Sequence, residues 1–202
     1  MEPLVHIVDD DEAIRDALAW LLKSRRLACR TWASGEDFLA ALEPSMRGCV
    51  VLDVRLGGMS GPECFEQMIK RGVTLPVLFL TGHADVPTAV QLLRRGAWHF
   101  MEKPCNDNEL VDLVQEALAF DAQNRADQGS RANLEARLAA LTPREQEVMS
   151  RILEGKLNKQ IADALDISMR TVEVHRARIF DKMGVRSAVE LSQLLSPLRK
   201  PT

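Results

Sequence analysis

Five side chains stand out for the chemistry they would do together: Asp9, Asp10, Asp53, Thr81 and Lys103. Each sits at the end of a short apolar run. Leu4-Val5-His6-Ile7-Val8 runs into Asp9-Asp10, and Cys49-Val50-Val51-Leu52 stops on Asp53, with Gly57-Gly58-Met59-Ser60-Gly61 close behind. Pro76 to Leu80 ends at Thr81, and Trp98 to Met101 leads into Glu102-Lys103-Pro104. Three carboxylates held together repel one another unless a cation joins them. An oxygen-only donor set suits Mg²⁺, which takes one or two carboxylates, waters and substrate phosphate, and Mn²⁺ accepts similar donors. Lys103 supplies a compact positive charge able to pair with a carboxylate or phosphoryl oxygen, and Thr81 supplies a hydroxyl donor. In such a setting Asp53 is a nucleophile: a carboxylate attacks phosphorus to give an aspartyl-phosphate.

The elements that must position these residues follow from the pattern. Short apolar runs bounded by turn residues read as strands buried on both faces, the kind found in parallel sheets. Between them lie helical stretches. One carries Ile14, Leu18, Leu21 and Leu22, one is capped by Ser34 over residues 35–42, and one spans 62–70 with Pro62 at its start. Another runs over 87–95, and a last one starts near residues 106–108. Strands alternating with helices at short intervals mean right-handed crossovers and a doubly wound α/β sheet of five parallel strands. Asp9, Asp10, Asp53, Thr81 and Lys103 then share the carboxyl rim, where open sheets of this kind bind ligands. Taken singly, an Asp-Asp pair is a helix start and a Lys-Pro pair a turn. Their joint placement at four strand ends is the signal.

At 202 residues the chain has room for a second domain. Charge divides accordingly: residues 1–120 hold 12 Lys and Arg against 18 Asp and Glu, whereas residues 142–202 hold 11 against 8. An acidic front and a mildly basic tail suggest two modules with different partners. Cys29, Cys49, Cys64 and Cys105 are widely spaced and read as reduced core or near-core thiols. The absence of a membrane-length apolar run or a signal pattern points to the cytoplasm.

Residues 121–140 read as a helical linker. Leu134, Leu138 and Leu141 form a thin stripe, with Gly129-Ser130 a break or hinge, and a solvated spacer is the equal alternative. Over 141–202 four short helices are expected. Thr142 and Glu145 form a capping box, Asn158 caps the second helix, Ser168 the third, and Ser187 with Glu190 the fourth. Short helices joined by tight turns describe a helix-turn-helix, whose later helix enters the major groove. On the third helix Val172, Ile179 and Met183 share the inward side. Arg170, Glu173, Val174 and Ala177, flanked by Arg178, face outward to base edges and phosphates. His175 reads as a packing residue.

Asp9-Asp10, Asp53-Val54-Arg55-x-x-Gly58-Met59-Ser60-Gly61, Thr81-Gly82-His83-Ala84-Asp85 and Glu102-Lys103-Pro104 together resemble the receiver domain of bacterial two-component response regulators. The resemblance covers residues 1–120. It implies a flavodoxin-like domain with strand order 2-1-3-4-5, and phosphorylation of Asp53 by a sensor histidine kinase. It also implies Mg²⁺ held by Asp9, Asp10, Asp53 and the Arg55 backbone carbonyl, a switch pair of Thr81 and Phe100, and a cis bond at Lys103-Pro104. Leu141-Thr142-Pro143-Arg144-Glu145, Asn158-Lys159-Gln160-Ile161-Ala162 and Arg170-Thr171-Val172-Glu173-Val174-His175-Arg176 resemble the LuxR-type DNA-binding domain. That adds Lys159, Thr171, Arg176 and Lys182 to the residues expected at promoter DNA. The whole chain resembles a transcription factor of the NarL/FixJ class, FixJ-like branch, which implies a homodimer when phosphorylated and RNA polymerase as a partner. Gly57 stands where that family's loop usually has Pro, which leaves the loop freer. Asp166 stands where Gly is usual, and Asp tolerates a left-handed backbone. An aspartate-dependent phosphatase would use a similar nucleophile. Such an enzyme needs a general acid two residues on, where this chain has Arg55, and has no need of the basic tail. A constitutive DNA binder with a degenerate front domain is disfavoured because the acidic set is complete.

Overall fold

Apolar runs too short for helices and bounded by turns pair through their backbones. In the computed structural model, which describes residues 2–82 and 86–196, they form a five-stranded parallel sheet. The strands are β1 (Leu4–Val8), β2 (Cys29–Trp32), β3 (Gly48–Asp53), β4 (Val77–Thr81) and β5 (His99–Glu102), in the order β2-β1-β3-β4-β5. The helices between them are α1 (Glu12–Ser24), α2 (Gly35–Ala41), α3 (Gly61–Lys70) and α4 (Val86–Arg94), followed by α5 (Asp107–Ala139). The central strands are buried on both faces, so hydrophobic cores lie on each side of the sheet. Val5, Ile7, Val51, Leu78 and Leu80 pack with Leu22, Leu110 and Val114 on one side. Val50, Leu52, Val77 and Phe79 pack with Phe38, Phe65 and Met68 on the other. Gly48 is required where it stands: its φ is +124°, and a Cβ there would lie 1.8 Å from the Leu4 carbonyl oxygen. Within β1, His6 is buried and accepts a hydrogen bond at Nδ1 from Trp32 Nε1 at 3.3 Å; burial pushes its pKa down to about 4. The Cys49 and Cys64 thiols are free and pushed up to about 12 by burial, as expected of inert core thiols.

The chain divides into two compact units at Ala126–Asp127. The expected break at Gly129-Ser130 is absent: α5 is one continuous helix. In the first unit, buried Asp121 accepts hydrogen bonds from the Gly48 backbone N–H and from Arg125, whose guanidinium also donates to the Met46 carbonyl. In the second, Leu134 and Leu141 are buried and Leu138 packs beside them. The helix thus carries Gly129 in its interior, where a glycine costs roughly 1 kcal/mol.

The second unit adds α6 (Pro143–Leu153), α7 (Asn158–Leu165), α8 (Met169–Met183) and α9 (Ala188–Leu195). Their starts are written in local chemistry. Thr142 and Glu145 form the expected capping box, and Ser168 and Ser187 accept N–H bonds from Thr171 and Glu190. Asn158, expected as a cap, is instead the first residue of α7. Leu157 holds the cap position, and its N–H donates to Gln160 Oε1. Asp166 closes α7 in the left-handed region, at φ 53° and ψ 50°. Glycine bears no strain there, so Asp166→Gly should stabilise this unit by about 0.5–1 kcal/mol and Asp166→Val should destabilise it by more, read from urea midpoints. Among the described residues no helix is long and apolar enough to cross a membrane.

Candidate functional site

The parallel order sets the carboxyl ends of β1, β3 and β4 side by side, because Val8 pairs with Leu52 and Asp53 with Leu80. Asp9, Asp10 and Asp53 therefore converge, with one carboxylate oxygen from each lying within 4.8 Å of the others. Asp9 is 2% exposed and already committed. Its Oδ1 accepts the Asp11 N–H at 3.0 Å, and its Oδ2 accepts Lys103 Nζ at 2.6 Å. Lys103 Nζ also lies 3.4 Å from Asp53 Oδ2. The peptide bond between Lys103 and Pro104 is cis, as expected. Asp53 Oδ1 is buried with no hydrogen-bond partner among the described residues. Burial raises the Asp53 pKa; the Lys103 charge lowers it, and Asp9 raises it again. Hydrogen bonds from Lys103 and from the Arg55 backbone N–H lower it in turn, and the net direction is upward.

Thr81 is buried at the end of β4, and its carbonyl accepts the Lys103 N–H at 2.7 Å. Phe100 pairs with Phe79 across the strands and packs, half-buried, against the core on that side. His83, Ala84 and Asp85 of the sequence motif lie outside the described residues. The loop after Asp53 turns under close constraint. Gly61 N–H donates to the Val54 carbonyl at 3.0 Å, and a Cβ at Gly61 would lie 2.1 Å from the Asp53 carbonyl oxygen. Two further groups touch this region without a sequence signal. Arg15 Nη1 donates to the Asp9 carbonyl at 2.7 Å, and Glu36 Oε1 accepts the Met59 N–H at 2.8 Å.

In the second unit Val172, Ile179 and Met183 are fully buried, whereas Arg170, Glu173, Val174, Ala177 and Arg178 are exposed on α8, and Lys159 is exposed on α7. Thr171 Oγ1 lies 2.8 Å from Ser168 Oγ, and the Arg176 guanidinium sits 5.3 Å over the Phe180 ring. His175 is half-buried, its Nδ1 enclosed. Lys182 is tied within the unit: its ammonium donates to Glu145 Oε2 at 2.7 Å and to the Ala140 carbonyl at 3.0 Å.

Known proteins match both halves of the chain. Residues 5–115 match the response regulator receiver domain, and residues 139–195 match the bacterial regulatory proteins of the luxR family. The C4-dicarboxylate transport transcriptional regulatory protein DctR of Rhodobacter capsulatus is 51% identical over 192 residues, 94% of this chain and 98% of that protein. The transcriptional regulatory protein FixJ of Azorhizobium caulinodans is 41% identical over 94% of this chain and 90% of its own length. Among solved structures, the response regulator StyR superposes with a TM-score of 0.91 at 37% identity, covering 98% of this chain and 100% of that one. Full-length FixJ from B. japonicum gives a TM-score of 0.61 at 36% identity over 99% of this chain and 100% of that one. An acidic rim on a parallel sheet and a capped helical unit with an exposed basic helix thus belong to one architecture: the chain is a two-component response regulator of the NarL/FixJ class, joining a receiver domain to a LuxR-type DNA-binding domain.

Proposed function

We propose that this regulator is switched when a sensor histidine kinase phosphorylates Asp53, and that the phosphorylated form dimerises and binds promoter DNA in the cytoplasm. The observation that carries the reading is the Asp53 carboxylate itself. Its Oδ1 is buried without a hydrogen-bond partner among the described residues while its Oδ2 faces Lys103, which leaves one oxygen to attack the phosphorus of the kinase phosphohistidine as the P–N bond breaks. The donor set fits Mg²⁺: Asp9, Asp10 and Asp53 gather hard carboxylate oxygens, and the Arg55 carbonyl, implied by the family resemblance, would add another, with Mn²⁺ able to substitute. When bound, the ion neutralises charge developing on the transferring phosphoryl oxygens.

The chain's own groups do the rest. Lys103 pairs with a phosphoryl oxygen, and the Thr81 hydroxyl donates to another. Each is a charge-assisted bond that exists only in the phosphorylated state. Movement of Thr81 opens space behind it for the Phe100 ring, and the new bonds bias the protein toward that arrangement as a population shift. The surface affected includes α4, whose Val86, Val90 and Leu93 are exposed at helical spacing, an apolar stripe suited to a second copy. Two tails would then meet half-sites one helical turn apart. There Arg170, Glu173, Val174 and Ala177 read base edges, and Lys159, Thr171, Arg176 and Arg178 hold phosphates. Pairing raises occupancy through effective concentration, and RNA polymerase is the partner expected on the promoter. Gel filtration of the full chain with and without acetyl phosphate and Mg²⁺ tests this. A monomer that converts to a dimer as DNA affinity rises supports the reading, whereas DNA binding indifferent to the donor would make the protein a constitutive binder.

A further inference from the structure

We propose that Glu36 is a positioning residue for the acidic site, holding the loop between β3 and α3 in the shape that aligns its backbone with Asp10 and Asp53. This rests on the phosphoacceptor reading above and assigns a role to a side chain outside the acidic set.

The loop spans residues 54–60, and its far end is well fixed. Gly61 N–H reaches the Val54 carbonyl, and the Ser60–Glu63 capping box closes the start of α3. The weak stretch lies before that, at Gly57-Gly58, both exposed. Two glycines in succession leave the backbone its widest choice of conformations. Slack there would reach the site directly, because a Cβ built on Gly57 lies only 3.3 Å from Asp10 Oδ2, and the proposed Arg55 carbonyl ligand is two residues upstream.

Glu36 takes up that slack. Its Oε1 accepts the Met59 N–H at 2.8 Å, a charge-assisted bond to the residue just past the glycines. The carboxylate sits in the first turn of α2, where the helix dipole favours it and the Ser34 cap fixes the helix start. The adjoining Gly35 is closely covered: a Cβ there would lie 3.3 Å from Cys64 and 3.5 Å from Leu56. Gly58 borders the contact: a Cβ there would lie 2.8 Å from Glu36 Oε1, so a side chain at this position would make the carboxylate shift from where it meets the Met59 N–H. The bond thus has two independent handles, one on each side.

The test is Mn²⁺ binding to the unphosphorylated full-length protein, followed by electron paramagnetic resonance, together with hydrogen exchange of the Met59 amide by NMR. Glu36→Ala should weaken Mn²⁺ binding about tenfold, the scale of an outer support to a metal ligand, and should speed exchange at Met59. Glu36→Gln keeps an acceptor oxygen without the charge and should recover most of the affinity. Gly58→Ala should reproduce the Glu36→Ala loss, and the double variant should be no weaker than either single, since both remove one bond. Wild-type affinity in Glu36→Ala, or losses that add in the double variant, would overturn the tether while leaving the phosphoacceptor reading in place. Absence of Asp53-dependent Mn²⁺ binding in the wild type would sink both.

Discussion

With Asn in place of Asp53, the full-length protein should take up no phosphoryl group from acetyl phosphate, and its elution volume and DNA affinity should no longer respond to the donor. The substitution is nearly isosteric. The side chain still fills its place at the end of β3, and Lys103 keeps its 2.6 Å bond to Asp9, so the fold has no reason to change. What disappears is the nucleophile, since an amide oxygen does not form an acyl phosphate at neutral pH. One of three carboxylates is lost as well, which weakens the cation site from the same position. Neighbouring carboxylates are poor substitutes. Asp9 is buried with both oxygens engaged by Asp11 and Lys103, and Asp10 is exposed. Intact-protein mass after incubation with donor and Mg²⁺ is the readout. A phosphoryl adduct of undiminished yield on Asp53→Asn would remove Asp53 from the mechanism.

How much of this was legible beforehand depends on whether the controlling interaction is local. Strand ends were legible, because an apolar run that stops on a carboxylate leaves little doubt about where the backbone leaves the sheet. Helix starts at Ser34, Thr142, Ser168 and Ser187 were legible for the same reason, since a cap bonds within three residues of itself. The inward face of α8 followed from its period. Tertiary contacts were not legible. Gly129-Ser130 looks like a break in isolation, yet α5 runs through it to the stretch where Leu134 and Leu138 pack in the second unit. Leu157 displaces Asn158 from the cap because Gln160, three residues on, satisfies its N–H. Glu36 and Met59 are 23 residues apart, and no pattern links them.

Lys182 is the sharpest instance, and it yields a prediction with opposite signatures for two neighbouring cations. By sequence it is one more basic residue on the helix expected at DNA; in the fold it pairs with Glu145, which is 2% exposed. Lys182→Met should therefore destabilise the DNA-binding unit by about 2–3 kcal/mol, below the full cost of breaking a buried pair because the lysine is one-third exposed. The slope of DNA affinity against salt should stay unchanged in that variant. Arg178→Ala should do the reverse, leaving stability within about 0.5 kcal/mol and lowering the salt slope by about 0.9 if its proposed phosphate contact is lost. Acid supplies a second check. The hydrogen bond from Lys182, then that from the Thr142 N–H, holds Glu145 down at about 2, below its ordinary 4.5. The stabilisation is complete above about pH 4.5 and is lost as the pH falls toward 2, because the unfolded chain takes up the proton first. In Lys182→Met the depression shrinks, so less stability remains to be lost over that window, and urea midpoints at pH 7 and pH 3 should lie closer together than in the wild type. A Lys182→Met variant of wild-type stability with a reduced salt slope would return this residue to the DNA backbone.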